Sequence, residues 1–259
     1  MLLAIDIGNT NIVLGVFDGA KLVQSWRLTT LRERTGDELG LLVEGLFANA
    51  HLDRRKVTDV ILASVVPPLT KPAQEMVRRY FGTKALTVEP PLETGMPILY
   101  DTPGDVGADR IVNGIAAYEK YGRAGKHPLV VVDFGTATTL DAISGEGEYL
   151  GGAICPGVTI SADALFQRAA RLPKIDVRKP ATVIGRTTVG AMESGLFWGY
   201  VDMVEGLVRR MSAELGGKDV RCVATGGLAP IIAPETTLIQ HVEPDLTLDG
   251  LRIVWERNQ

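Results

Sequence analysis

Hydrophobic positions along the chain switch between two periods, and the switches come in the same order twice. Leu2 to Asp6 is an unbroken apolar run closed by a carboxylate, which reads as a buried strand. Ile12 to Phe17 reads as a second strand. Asp18-Gly19 supplies a hairpin turn, because glycine accepts the positive φ such turns demand, and Leu22 to Leu28 returns as a third strand. The period then lengthens. Thr35 and Glu38 form a capping box ahead of Leu39, Leu42, Val43, Leu46 and Phe47, which repeat at helical spacing. Val60 to Val66 is a further buried strand, stopped by Pro67-Pro68. A helix from about Pro72 to Tyr80 and a strand near Leu86 to Val88 follow.

Glu89 to Pro103 carries four prolines and Gly95 and reads as an irregular connection. Asp105 to Tyr121 is helical, with Ile111, Val112, Ile115, Ala116 and Tyr118 on its packing side. The opening then repeats. Leu129 to Asp133 is a strand, Thr138 to Ile143 another, and Gly145-Glu146-Gly147 turns the chain into Tyr149 to Ile154. Helices are expected at Ser161 to Arg171 and from about Val189 to Leu215, the second ended by Gly216-Gly217. Val220 to Ala224 and Leu238 to Val242 read as strands, and Leu248 to Glu256 as a closing helix.

Three leading strands followed by alternating helices and strands, twice over, predict an α/β fold with mixed sheets, duplicated once. The expected halves are residues 1–116 and 117–259, with the hinge near the helix around Asn113 to Tyr121 and a central cleft between them. Composition agrees and narrows the partners. The 259 residues can bury a substantial core, and 46% hydrophobic with 22% charged residues is ordinary for a soluble globular chain. A net charge of −4 with no basic run argues against nucleic acid. Val60 to Leu69, the longest uncharged apolar stretch, is too short to span a bilayer, and the N-terminus runs straight into a strand rather than a signal peptide. Cys155 and Cys222 are too few for a disulfide framework, so a reduced, cytoplasmic protein fits. His51, His127 and His241 are too scattered for a metal site or a triad.

The chemistry concentrates where strands end. In Asp6-Ile7-Gly8-Asn9-Thr10-Asn11, a carboxylate closes a strand and Gly8 lets backbone N–H groups approach an anion. A carboxylate beside a phosphate is repulsive unless a cation intervenes, so Asp6 is expected to act through Mg²⁺. The alternative is a plain Asx-type turn joining two strands. Asp133-Phe134-Gly135-Thr136-Ala137-Thr138-Thr139 repeats the design near the chain's midpoint, with three hydroxyls to cap oxygen atoms. Two such turns facing one cleft favour phosphate binding. There is no G-x-x-x-x-G-K-[ST], and no strand leads into G-x-G-x-x-G, so a P-loop and a dinucleotide fingerprint are both unsupported. Thr225-Gly226-Gly227 closes a later strand with bare backbone against which a flat adenine could lie, or is a simple turn. Asp109, in Gly107-Ala108-Asp109-Arg110, matches a helix dipole on one reading. On the other it is a general base for an alcohol, with Arg110 neutralising phosphoryl charge.

Together and in this order, these four motifs resemble the type III pantothenate kinases of bacteria, within the actin-like ATPase and sugar-kinase superfamily. Gly151-Gly152-Ala153-Ile154-Cys155-Pro156-Gly157 and Leu246-Thr247-Leu248-Asp249-Gly250-Leu251 are also similar to family segments, and the resemblance covers essentially the whole chain. It implies a duplicated ribonuclease H-like fold and ATP-dependent phosphorylation of pantothenate to 4'-phosphopantothenate, the first step of coenzyme A synthesis. It further implies that Asp6, Ile7, Gly8, Asn9, Thr10, Asn11, Ile12 and Val13 form the first phosphate turn, with Asp6 on Mg²⁺ and Thr10 touching phosphate. Thr136 is the implied second phosphate contact, with Gly226 and Gly227 serving the nucleotide. Asp133 would bind a monovalent cation, K⁺ or NH₄⁺, and Asp109 would be the proton acceptor. Tyr100, Gly107, Ala108, Asp109 and Arg110 would line the pantothenate pocket. Thr188 would reach that pocket from a neighbouring subunit, which implies a homodimer with substrate at the interface. Two rival readings are a superfamily kinase for a sugar or another small alcohol, and a non-catalytic regulatory relative; the second predicts a lost base or phosphate turn, and both are present here.

Overall fold

The opening apolar run forms β1 (Leu2–Ile7), the centre of a five-stranded sheet. β2 (Asn11–Asp18) pairs antiparallel with it, and β3 (Lys21–Thr29) pairs antiparallel with β2 beyond the Asp18-Gly19 turn. On its other side β1 is parallel to β4 (Asp59–Ser64), itself parallel to β5 (Ala85–Thr87), so the order is β3-β2-β1-β4-β5. This computed structural model describes residues 1–89 and 92–259; Pro90 and Pro91 of the expected irregular connection lie outside the described residues.

The second half repeats the topology. β6 (Leu129–Phe134) is central, antiparallel to β7 (Ala137–Ile143), which is antiparallel to β8 (Tyr149–Pro156). β6 is parallel to β9 (Arg221–Thr225), and β9 to β10 (His241–Val242). The order β8-β7-β6-β9-β10 mirrors the first sheet strand for strand. Asp6 and Asp133 each occupy the fifth position of their six-residue central strand. The duplication read from the sequence is therefore a duplication of sheet topology.

Both central strands are buried on both faces, and one face of each sheet packs on a pair of helices. In the first, Leu3, Ile5 and Ile7 of β1 and Ile12, Leu14 and Val16 of β2 meet α1 (Gly36–Asn49) and α2 (Pro67–Phe81). α1 begins at the expected capping box: Thr35 Oγ1 accepts from the Glu38 N–H at 3.3 Å, and Glu38 Oε2 accepts from the Thr35 N–H at 2.8 Å. α2 starts five residues before the expected Pro72, because Pro67 and Pro68 stand in its first turn, where a missing N–H leaves no bond unmade. In the second sheet, Val130, Val132 and Phe134 of β6 pack on Phe197, Val201, Val204 and Val208 of α5 (Thr188–Glu214) and on Ala162 of α4 (Val158–Arg168). Removing a side chain such as Phe197 from that core would cost roughly 3–5 kcal/mol.

The single helix expected over 105–121 is three pieces. A 3-10 turn, Pro103–Asp105, precedes α3 (Ala108–Ala117), and a π-helical turn, Tyr118–Gly122, follows it. The short helix α6 (Ala229–Ile232) follows β9, and α7 (Leu246–Arg257) closes the chain. By packing, one unit comprises Met1–Met96, Asp101–Ala116 and Leu246–Gln259, and the other Pro97–Tyr100 and Ala117–Asp245. The units are discontinuous in sequence: residues 97–100 belong to the second and α7 to the first. α7 is held there by specific contacts. Thr247 Oγ1 donates to the buried Asn113 Oδ1 of α3 at 2.7 Å, and the Arg252 guanidinium lies 5.8 Å from the Phe17 ring centre. Among the described residues, no helix is long and apolar enough to cross a membrane.

Candidate active site

The first turn is closed by its own backbone. The Gly8 N–H donates to the Asn11 carbonyl at 3.0 Å, and Thr30 Oγ1 donates to the Gly8 carbonyl at 2.7 Å. The Thr30 N–H donates to the Thr10 carbonyl at 2.9 Å, so β3's exit braces the turn from outside. Asn9 and Thr10 are exposed and Asp6 is half-buried, which suits groups that meet a ligand. Ile7 and Ile12, named with the phosphate turn from sequence, point into the core, so only their main chains are available to a nucleotide.

The base segment lies in the same unit and beside this turn. The Val65 N–H bonds the Ile7 carbonyl at 3.0 Å, and a Cβ added at Gly107 would stand 3.6 Å from Val65 Cγ1. That same Cβ would stand 2.5 Å from Asp109 Oδ1, so Gly107 is glycine because the Asp109 carboxylate needs the space. The Gly107 carbonyl starts α3, accepting from the N–H groups of Arg110 at 3.1 Å and Ile111 at 3.2 Å. Asp109 Oδ1 accepts from the Arg110 N–H at 2.8 Å. Burial raises the Asp109 carboxyl above the ordinary aspartate range, against the lowering influence of that N–H and of the Arg110 charge. Arg110 itself is buried. A carboxylate whose proton affinity is raised and which keeps one fixed donor is suited to accept a proton from an alcohol.

The second turn belongs to the other unit and is one residue tighter. The Gly135 N–H donates to the Ala137 carbonyl at 3.1 Å, directly after the Asp133–Thr139 and Phe134–Thr138 pairs. Of its three hydroxyls only Thr136 is exposed. Thr138 is fully buried with its Oγ1 unpartnered, and Thr139 Oγ1 turns inward to Asp141 Oδ2 at 3.2 Å. Strand alternation turns Thr138 away from the exposed side, a consequence the hydroxyl count alone does not show. Gly226 packs onto this turn. Its φ is +92°, and a Cβ there would meet Asp133 Oδ1 at 2.5 Å and the Phe134 carbonyl oxygen at 2.6 Å. The glycine pair after β9 and the Asp133 turn are therefore one structure, which their separation in sequence conceals. Gly157, at the start of α4, also abuts the turn, since a Cβ there would come within 2.8 Å of the Gly135 carbonyl oxygen. That delivers the N-terminus of an eleven-residue helix to the second turn, a contribution the sequence reading missed although Gly157 ends one of the family-like segments.

Tyr100 falls in the second unit, while residues 107–110 fall in the first. Its ring is 38% exposed and meets the Tyr149 ring edge-on, centroids 6.3 Å apart. Thr188 is exposed in the first turn of α5; the helix is capped by Thr187, whose Oγ1 accepts from the Gly190 N–H at 3.0 Å, so the Thr188 hydroxyl is not spent on capping.

Asp6 presents a carboxylate at the end of β1, the donor type that Mg²⁺ takes together with phosphate and water. Among the described residues no three of His, Cys, Asp and Glu gather into a metal cluster. Asp133 Oδ1 and the Phe134 carbonyl oxygen both lie close against Gly226, so oxygen donors of the kind hard cations take are gathered at this turn.

Residues 2–210 match the family model described as type III pantothenate kinase. A type III pantothenate kinase from Myxococcus xanthus (strain DK1622) is 55% identical over 258 residues, covering 100% of this chain and 99% of its own. One from Moorella thermoacetica (strain ATCC 39073 / JCM 9320) is 54% identical over 258 residues and covers 100% of both. Among solved structures, an inorganic polyphosphate/ATP-glucomannokinase from Arthrobacter sp. strain KM superposes with a TM-score of 0.54 at 17% identity, covering 100% of this chain and 99% of that one. A Campylobacter jejuni protein assigned to the Baf family of transcriptional activators gives 0.62 at 20% identity, covering 99% and 98%. These two likenesses are of fold, the actin-like ATPase fold.

Proposed function

The chain belongs to the type III pantothenate kinase family, and from that premise we propose that it transfers the γ-phosphoryl group of ATP to the primary hydroxyl of pantothenate, opening coenzyme A synthesis. The observation that carries the chemistry is Asp109: half-buried, raised in proton affinity, held by the Arg110 N–H, and given room by Gly107. It accepts the proton as the hydroxyl oxygen attacks, and Arg110 offsets charge on the moving phosphoryl group. Catalysis of this kind consists of positioning and charge stabilisation.

The first turn, residues 6–13, serves phosphate through the Asn9, Thr10 and Asn11 side chains and its main chain. Asp6 is the carboxylate that would hold Mg²⁺, whose charge offsets that of the triphosphate. In the second unit Thr136 is the phosphate contact, Asp133 would hold K⁺ or NH₄⁺, and Gly226-Gly227 serve the nucleoside. Tyr100 and residues 107–110 bind the acceptor. Thr188 serves the acceptor pocket of a second copy, which makes the working unit a homodimer; its exposed place at the start of α5 supports that reading.

An acceptor comparison tests the substrate. ADP release should require pantothenate and stay at background with hexoses. Turnover of a hexose without turnover of pantothenate would assign the site to a sugar instead.

A further inference from the structure

We propose that Asp141 and Tyr149, a buried pair with no part in the chemistry above, are positioning residues that fix Tyr100 and so set affinity for the acceptor. This rests on the reading that Tyr100 contacts the acceptor. Asp141 lies in β7 with no exposed surface, an unusual place for a carboxylate unless donors satisfy it. Tyr149, also fully buried, donates its hydroxyl to Asp141 Oδ1 at 2.7 Å, and Thr139 Oγ1 donates to Oδ2 at 3.2 Å.

The bond crosses a defect in the sheet. The β7–β8 register shifts between Ala142 and Ile143: Ile143 faces Tyr149 and Ala142 faces Gly151, which leaves Leu150 as the extra residue. A bulge of this kind weakens the ladder's own hold on register, and a side-chain bond spanning it restores that hold. A buried charged bond is weak evidence for stability, but it is a good device for selecting one register.

Tyr149 in turn carries residues 97–100. Its N–H donates to the Pro97 carbonyl at 2.8 Å, its carbonyl accepts from the Leu99 N–H at 2.8 Å, and Ile98 bridges to it in parallel. Tyr100 follows at once. Its ring meets Tyr149 at 62° and lies over Gly151, where φ is +123° and a Cβ would be 3.4 Å from Tyr100 Cε2. Main chain, ring edge and bare glycine together hold Tyr100 from one anchor, and that anchor is fixed through Asp141.

The test is steady-state kinetics of Tyr149→Phe and Asp141→Asn, which break the same bond from either end while keeping shape, alongside Tyr100→Ala and the Tyr100→Ala/Tyr149→Phe double variant. Each single change at the pair should raise the pantothenate KM about 5- to 10-fold, with kcat and the ATP KM within about 2-fold. In the Tyr100→Ala background, Tyr149→Phe should add nothing further. If Tyr100→Ala raises the pantothenate KM while Tyr149→Phe only lowers the melting temperature, or adds its full effect in the double variant, the positioning role is wrong and the acceptor reading stands. If Tyr100→Ala leaves the pantothenate KM unchanged, the acceptor reading itself fails, and this proposal with it. Should Asp141→Asn not fold, Tyr149→Phe, which retains the ring and its packing, decides alone.

Discussion

Asp109 is held between opposing influences, and their balance has consequences for both rate and stability. Burial raises its pKa, while the Arg110 N–H and charge lower it, and burial prevails. In the proposed role of base the carboxylate is the active form, so kcat/KM should fall as pH drops through the raised value. The acid limb should therefore lie above the ordinary aspartate pKa of about 3.9. A limb at or below that value would contradict the burial account. The stability sign runs the other way. A group whose folded pKa is raised destabilises the fold when ionised, and that cost is relieved as pH falls through the folded value. Asp109→Asn keeps the acceptor oxygen for the Arg110 N–H and removes the buried charge. It should melt no lower than the parent at pH 7, checked by calorimetry, while kcat falls about 10²- to 10⁴-fold. From residue types, Asp109 in Gly107-Ala108-Asp109-Arg110 reads equally as a helix-dipole match and as a base. That Gly107 is demanded by the carboxylate two positions on was not legible, because the close approach exists only in three dimensions.

At the scale of elements, strands and caps were legible and helix starts near proline less so. Strand periodicity depends on burial, which the hydrophobic pattern records directly. Pro67-Pro68 reads as a stop by composition, yet the same residues open α2, since the first turn of a helix tolerates a missing donor. The expected strand over 238–242 shrinks to His241–Val242, which pairs with only two residues of β9. α7 joins the first unit through buried Leu246, Leu248, Leu251 and Val254 and through one buried polar bond. Thr247 supplies the hydroxyl that satisfies the buried Asn113 Oδ1, one helical turn beyond Asp109 on α3. Thr247→Val should lower unfolding stability by about 1–3 kcal/mol in denaturant titration, because it leaves a buried acceptor short of its donor. A change under about 0.5 kcal/mol would mean that Asn113 finds another partner. Asp141 and Tyr149 escaped the sequence reading, although a carboxylate inside Thr139-Leu140-Asp141-Ala142-Ile143 is the signal that marks them.

For the whole molecule, the duplication was visible because both halves need the same strand order to present a carboxylate at the fifth position of the central strand. The crossings of the chain were not visible. Residues 97–100 leave the first unit for a bridge to Tyr149, and α7 returns to the first unit, where Leu248 packs over Gly15 of β2 and Thr247 bonds Asn113; neither pairing has a local signature. Asp133 has Gly226 packed against its carboxylate, and in the proposed division of roles Asp6 meets Mg²⁺ while Asp133 meets a monovalent cation. Activity should accordingly rise with K⁺ relative to Na⁺, and Asp133→Asn should abolish that preference. Equal rates in both salts would remove the cation role from Asp133.

The most direct test of the central claim is a coupled ADP-release assay with Mg²⁺-ATP and pantothenate, run on the parent protein and on Asp109→Asn side by side. The parent should turn over pantothenate, and the variant should fall about 10²- to 10⁴-fold. Near-parental turnover in the variant, or a parent inert toward pantothenate, would contradict the account.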